Sequence, residues 1–256
     1  MSAAALEAVG LHKRFGALVV TADVSLTLPI GARHALIGPN GAGKTTLINL
    51  LTGRLAPSSG TIRLAGEDIT HMKPDQRVKR GLARTFQINS LFPEMTPLEA
   101  VTLAVLEREG RSTAWIGPIR QHRAVVVEAM ALLERLGLDS VAGQPTHLLA
   151  YGQQRLVEIA LALAAKPRVL LLDEPMAGIP SEDSVEILAT LAGLPDDIAI
   201  LFIEHDMDLV FRFARRITVL VAGGILIEGP PAEIMKDERV QAIYLGDEEL
   251  GPGASA

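Results

Sequence analysis

The sequence predicts an α/β fold: parallel strands covered by helices, an N-terminal antiparallel β subdomain in front of them, and an inserted helical subdomain. Three observations carry that expectation. Residues 6–28 alternate short apolar runs with polar residues around Gly16, the pattern of a hairpin or small antiparallel sheet. Residues 97–166, approximately, are mostly helical in their apolar spacing. After Pro167, short apolar runs alternate with helical stretches, as a parallel sheet with covering helices requires.

Taken in order, Ala35-Leu36-Ile37 reads as a buried strand, a glycine-rich loop follows, and residues 46–51 have helical spacing that ends near Gly53. The helical subdomain holds residues 98–106, 125–136 and 155–164, with a Gly/Pro-containing break at 116–118. Later strands are expected at 169–172, 198–203 and 217–221, with helices at 184–191 and 207–213. Residues 1–246 are expected to form a single domain. Residues 247–256 form a short C-terminal tail in this reading, because the chain from Gly246 onward is acidic or small.

Composition narrows the function classes. The 256 residues carry 24 basic and 30 acidic side chains, a net charge of -6, which argues against nucleic acid as the main partner. With no cysteine there is no disulfide, thiolate metal site or cysteine nucleophile, and the cytoplasm is the natural home. Mean hydropathy is positive, yet no apolar run approaches the roughly 18 residues of a spanning helix. The nearest run, 217–227, is broken by Gly223-Gly224, and the N-terminus does not read as a secretion signal. Membrane association is therefore expected to run through a partner.

Two motifs carry chemistry. Gly38-Pro39-Asn40-Gly41-Ala42-Gly43-Lys44-Thr45 fits the P-loop pattern between a strand and a helix. Its backbone N–H groups and the helix N-terminus are suited to phosphate oxygens. Lys44 would reach the β- and γ-phosphates, Thr45 would ligate Mg²⁺, and Thr46 would assist at the α-phosphate. The plainer alternative is a glycine-rich turn with a solvated lysine. In Val169-Leu170-Leu171-Leu172-Asp173-Glu174, a buried strand ends in two carboxylates. Asp173 would hold Mg²⁺ and Glu174 would polarise an attacking water, the alternative being a helix cap before Pro175.

A third motif, Leu149-Ala150-Tyr151-Gly152-Gln153-Gln154-Arg155, is a loop leading into a helix. With it the chain closely resembles the ATP-binding subunits of ABC transporters, whose signature has the form LSGGQ. The resemblance spans nearly the whole chain in the family's order: Phe15, the P-loop, Gln87 within Thr85-Phe86-Gln87, the signature, Asp173-Glu174, and His205 within Ile203-Glu204-His205-Asp206. It implies a P-loop NTPase of the ABC ATPase type with a RecA-like core, and ATP with Mg²⁺ as cofactors. Phe15 would stack on adenine and Gln87 would join Mg²⁺ and the water to the transmembrane partner. His205 would contact the γ-phosphate. Two such subunits would pair head-to-tail, each P-loop nucleotide being sealed by Ala150, Tyr151, Gly152 and Gln153 of the other subunit.

Two departures from the family pattern stand out: Ala150 where the signature usually has serine, and Ala177-Gly178-Ile179-Pro180-Ser181, which lacks the usual aspartate and carries a proline. The first predicts weaker γ-phosphate binding at the site this signature completes, and the second puts communication between the two sites in doubt. The AYGQQR, EPMAG and EHDM runs and the Ala242-Ile243-Tyr244-Leu245-Gly246 ending look like importer ATPases for branched-chain amino acids, with urea and short-chain amide importers as the alternative. That subfamily implies transmembrane permease subunits, a different ATP-binding chain as partner (otherwise a homodimer), an extracytoplasmic solute-binding protein, and a peripheral place on the cytoplasmic face of the inner membrane. Residues 88–93 either line a groove for a cytoplasmic helix of the permease or cap the helical subdomain. A non-transport ABC ATPase acting on DNA or ribosomes, and a regulator without catalysis, are the competing classes. The chain shows no coiled coil, second ATPase half or basic surface for the former, and it keeps Glu174 and His205 against the latter.

Overall fold

Two hydrophobic cores are separated by one sheet. The computed structural model describes residues 4–85, 91–111 and 122–248. Strands β1 (Ala4–Phe15) and β2 (Leu18–Pro29) form the expected N-terminal hairpin. After β3 (Arg33–Ile37) and helix α1 (Lys44–Leu51), the chain returns to the hairpin's sheet as β4 (Ser59–Leu64) and β5 (Glu67–Asp68), completing the antiparallel order β2-β1-β4-β5. Helix α2 (Pro74–Lys79) and the short strand β6 (Leu82–Arg84) then lead to α3 (Pro97–Arg108), α4 (Arg123–Arg135) and α5 (Tyr151–Ala164). The break read at 116–118 lies outside the described residues.

The core sheet follows from β7 (Val169–Asp173), α6 (Ser181–Ala192), β8 (Ala199–Ile203), α7 (Met207–Phe213), β9 (Arg216–Val221) and β10 (Gly224–Gly229). Its order is β10-β9-β3-β8-β7-β6, with only β10 antiparallel to its neighbour. The run 217–227 is thus a hairpin turning at Ala222-Gly223, not a span. Helices α8 (Pro231–Ile234) and α9 (Glu238–Glu248) close the chain. Helix α9 passes two residues beyond the tail boundary that the small and acidic residues predicted.

Period-two alternation in the buried strands feeds both cores. Leu170, Leu172, Ile200 and Phe202 pack with Val101, Leu133 and Val157 of the helices, while Val169, Leu171, Leu201 and Ile203 pack with Leu6, Leu28, Leu47 and Ile48. Because both faces are covered, these strands read as continuous apolar runs. The three long helices are tied together near the chain's midpoint. Arg108 of α3 gives a two-pronged bond to Glu128 of α4 at 2.7 and 2.9 Å and donates to the Ala164 carbonyl of α5, and Lys166 joins the same carboxylate. These cations hold the Glu128 carboxyl down at about 2.

Candidate active site

The register brings the two sequence motifs and His205 to one edge. Leu36 of β3 and Asp173 of β7 both pair with Ile203 of β8, so the P-loop, the Asp173-Glu174 pair and the Glu204-His205 pair leave the carboxyl ends of three adjacent parallel strands. In open α/β sheets that edge is where ligands bind. Phe15 ends β1 with its ring half exposed and Lys13 Nζ 5.0 Å above it, so an aromatic face stands at the rim of the antiparallel sheet.

The glycines of the loop have different tasks. A Cβ on Gly38 would collide with the Leu220 carbonyl, and one on Gly43 would lie 2.8 Å from the Val20 carbonyl, so these two let the loop press against β9 and β2. The contact is reinforced by Gly223 N–H donating to Ala42 O at 2.9 Å. At Gly41 a Cβ would meet nothing within 4 Å, so this part of the loop faces open space. Asn40, Gly41 and Thr45 are exposed, whereas Pro39 and Thr46 are half-buried. Lys44 Nζ donates to Gly38 O and, at 3.1 Å, to Pro39 O, using two of its three N–H groups on its own loop. Burial lowers its pKa, an effect opposed by the nearby Glu174 and Asp173 carboxylates. Helix α1 is held at its far end by Arg77, whose buried guanidinium donates to the last carbonyls of the helix, Leu50 and Leu51, and to Thr70 and Met72.

Asp173 is paired with Arg84 at 2.6 Å, and Arg84 also donates to Asn49 Oδ1 of α1 at 3.0 Å. The sequence reading missed Arg84; its signal was a lone cation after the apolar pair Leu82-Ala83, where the strand leaves the core. Glu174 is exposed and holds a left-handed backbone, φ 47°. His205 is exposed, with Nδ1 3.6 Å from Glu204 Oε2. Glu204, also missed, is buried at the end of β8, and burial raises its pKa against hydrogen bonds from Met176 N–H and His205 N–H.

Ala150 precedes α5 as its N-cap and offers no side-chain acceptor; instead the Gln153 side chain accepts the Ala150 N–H at 3.1 Å. Tyr151 lies against Gly178, whose added Cβ would come within 3.4 Å of the phenol oxygen, so the signature touches the segment after the carboxylate pair. Gln87 lies outside the described residues, as do residues 88–90. Leu91 packs on the larger core and also lines a cavity of about 520 Å³ with Val78, Leu82 and Leu161. Phe92 is 63% exposed, so it does not cap the helical subdomain.

The glycine-rich loop, the carboxylate pair and the exposed histidine share one sheet edge, an arrangement chemically suited to binding and hydrolysing a nucleotide, and similarity to known proteins points the same way. The family model described as ABC transporter matches residues 21–177. The high-affinity branched-chain amino acid transport ATP-binding protein BraF of Pseudomonas aeruginosa is 38% identical, the match covering 96% of this chain and 100% of BraF. The lipopolysaccharide export system ATP-binding protein LptB of Acidithiobacillus ferridurans is 37% identical over 95% of this chain and 97% of its own. The crystal structure of the ADP conformation of MJ1267, an ATP-binding cassette of an ABC transporter, superposes with a TM-score of 0.84 at 31% identity, covering 95% of this chain and 99% of that one. The chain belongs to the ABC transporter family, as an ATP-binding cassette that hydrolyses ATP. A second model, described as branched-chain amino acid ATP-binding cassette transporter, matches residues 226–249.

Proposed function

We propose that the chain is the ATP-hydrolysing subunit that powers a membrane importer for branched-chain amino acids. The observation that carries the substrate class is the match of residues 226–249, since identity alone is nearly the same to BraF and to LptB. No described helix is long and apolar enough to cross a membrane; in this reading the solute passes through permease subunits. The cavity beside Leu91 is their seat in this reading, on the cytoplasmic face of the inner membrane, with an extracytoplasmic protein delivering solute.

The donor set fits a nucleotide and a hard cation. Gly41 leaves room beside the loop's N–H groups, Lys44 brings a cation, and Phe15 offers a ring face to a base. Among the described residues no three His, Cys, Asp or Glu side chains converge, so Mg²⁺ at Thr45 and Asp173, with Gln87, would draw on phosphate oxygens for its remaining ligands. The bound cation would neutralise phosphate charge. Arg84 meanwhile holds the Asp173 carboxylate at 2.6 Å and so orients it at the end of β7. Glu174 accepts the proton of the attacking water, and His205 donates toward the γ-phosphate. Ala150 to Gln153 present the N-terminal end of α5 to the nucleotide of a second ATP-binding subunit, a different chain in this reading. Closure excludes water and strengthens every charge interaction inside.

Radiolabelled leucine uptake in cells deprived of the wild-type chain tests this reading. Restoring the chain should restore uptake, and Lys44→Ala should not. Intact leucine uptake without the chain, with loss of another solute's transport, would reassign the substrate.

A further inference from the structure

The loop that carries Glu174 is held by buried charges from two directions. Arg155, 4% exposed in α5, donates Nη2 to the Glu174 carbonyl at 2.6 Å and Nε to the Pro175 carbonyl at 2.7 Å. Its Nη1 is locked by Glu158 at 2.6 Å, one turn further along the same helix and 3% exposed. From the opposite side Glu204, 2% exposed, accepts the Met176 N–H at 2.9 Å and the His205 N–H at 3.3 Å. Glu174 N–H donates to Ile203 O at 2.9 Å. Every backbone polar group from residue 174 to the N–H of 176 therefore has a partner.

That degree of restraint calls for a cause. A non-glycine residue in the left-handed region is strained and persists only where its surroundings over-determine it. Glu174 is such a residue, at φ 47°. A buried ion pair such as Arg155–Glu158 is a poor source of stability, since apolar side chains of similar volume serve as well. What it supplies is direction: a planar fork aimed at two successive carbonyls.

We propose that Arg155 and Glu204 are positioning residues for Glu174, a clamp that fixes the conformation of its loop and links it to the two segments that meet the γ-phosphates. Arg155 lies in α5, whose N-terminal end carries the signature, and Glu204 directly precedes His205. Each segment reaches the Glu174 loop through a buried side chain, Arg155 from α5 and Glu204 from the residue before His205, beside the backbone bond from Glu174 N–H to Ile203 O. Arg155 thereby connects the nucleotide closed by this chain's signature to the nucleotide held by its own P-loop. The inference rests on the assignment of Glu174 as general base.

The test is steady-state ATP hydrolysis and equilibrium binding of a fluorescent ATP analogue by the full chain, for Arg155→Gln, Arg155→Lys and Glu204→Gln, each alone and combined with Glu174→Gln. Arg155→Gln should lower kcat by roughly 10- to 100-fold, the scale of a misplaced reacting group, with KM and analogue affinity changed less than about twofold. Arg155→Lys should recover part of the rate. Glu204→Gln, which keeps an oxygen for Met176 N–H, should cost less and still answers the question if Arg155→Gln does not fold. In the Glu174→Gln background neither change should slow the residual rate further. The clamp is overturned if Glu174→Gln is slow while Arg155→Gln and Glu204→Gln turn over normally, or if their losses multiply with that of Glu174→Gln, as a general structural role would give. Normal turnover by Glu174→Gln itself would instead remove the general base on which the clamp depends.

Discussion

Ala150 shows how much one missing hydroxyl changes at a helix start. A serine there would accept an N–H of the first turn of α5 and, across the subunit interface proposed above, donate to phosphate; alanine leaves only backbone groups. Ala150→Ser should therefore raise the chain's stability by about 1 kcal/mol, visible as a higher urea midpoint, and tighten ATP-driven association several-fold in sedimentation. Unchanged association would show that the backbone N–H groups alone carry the contact. The residues proposed to contact nucleotide stood out in the sequence because phosphate-binding chemistry sets short, fixed spacings. Arg84 and Glu204 were not, since their partners lie 89 and 28 residues away along the chain. Arg155 and Glu158 left a fainter mark, opposite charges three apart on an otherwise apolar helix face, which is pairing distance in a helix.

Among the elements, α1 depends on both of its ends. Its N-terminus opens from the P-loop, and its last carbonyls end in the Arg77 guanidinium, which burial lowers to about 10 and which stays charged at neutral pH. A cation at a helix C-terminus is favourable, and here it also satisfies carbonyls of the chain around Thr70 and Met72. Arg77→Leu would bury four carbonyls without that donor and should cost on the order of 3 kcal/mol in urea unfolding. A cost below about 1 kcal/mol would mean that the end of α1 is held by other groups. Most of the long elements were legible from their periodicity, but α9, at 11 residues, was not. Strand β6 was not, because three residues are too few to show a period, and α2 and β5 are shorter than a reliable pattern. Strand β10 was hidden by its glycines and half-buried face, and only its pairing with β9 reveals it.

Across the whole molecule, one sheet separates a core shared with the helical subdomain from a core shared with the antiparallel sheet, and the site lies where both meet the carboxyl ends of the strands. Gly38 and Gly43 press the P-loop against β9 and β2, so the phosphate cradle takes its shape from both layers. Continuous apolar runs made the parallel strands readable. The pairing of strands far apart in the chain was not, since nothing local specifies which strand lies beside β3. Equilibrium binding of fluorescent ATP, with Mg²⁺, to the wild-type chain and to Lys44→Ala probes the nucleotide site most directly. Losing a charge-assisted contact to phosphate should weaken binding by roughly tenfold or more. Equal affinity in the two proteins, or no affinity in either, would contradict a nucleotide site built on this loop.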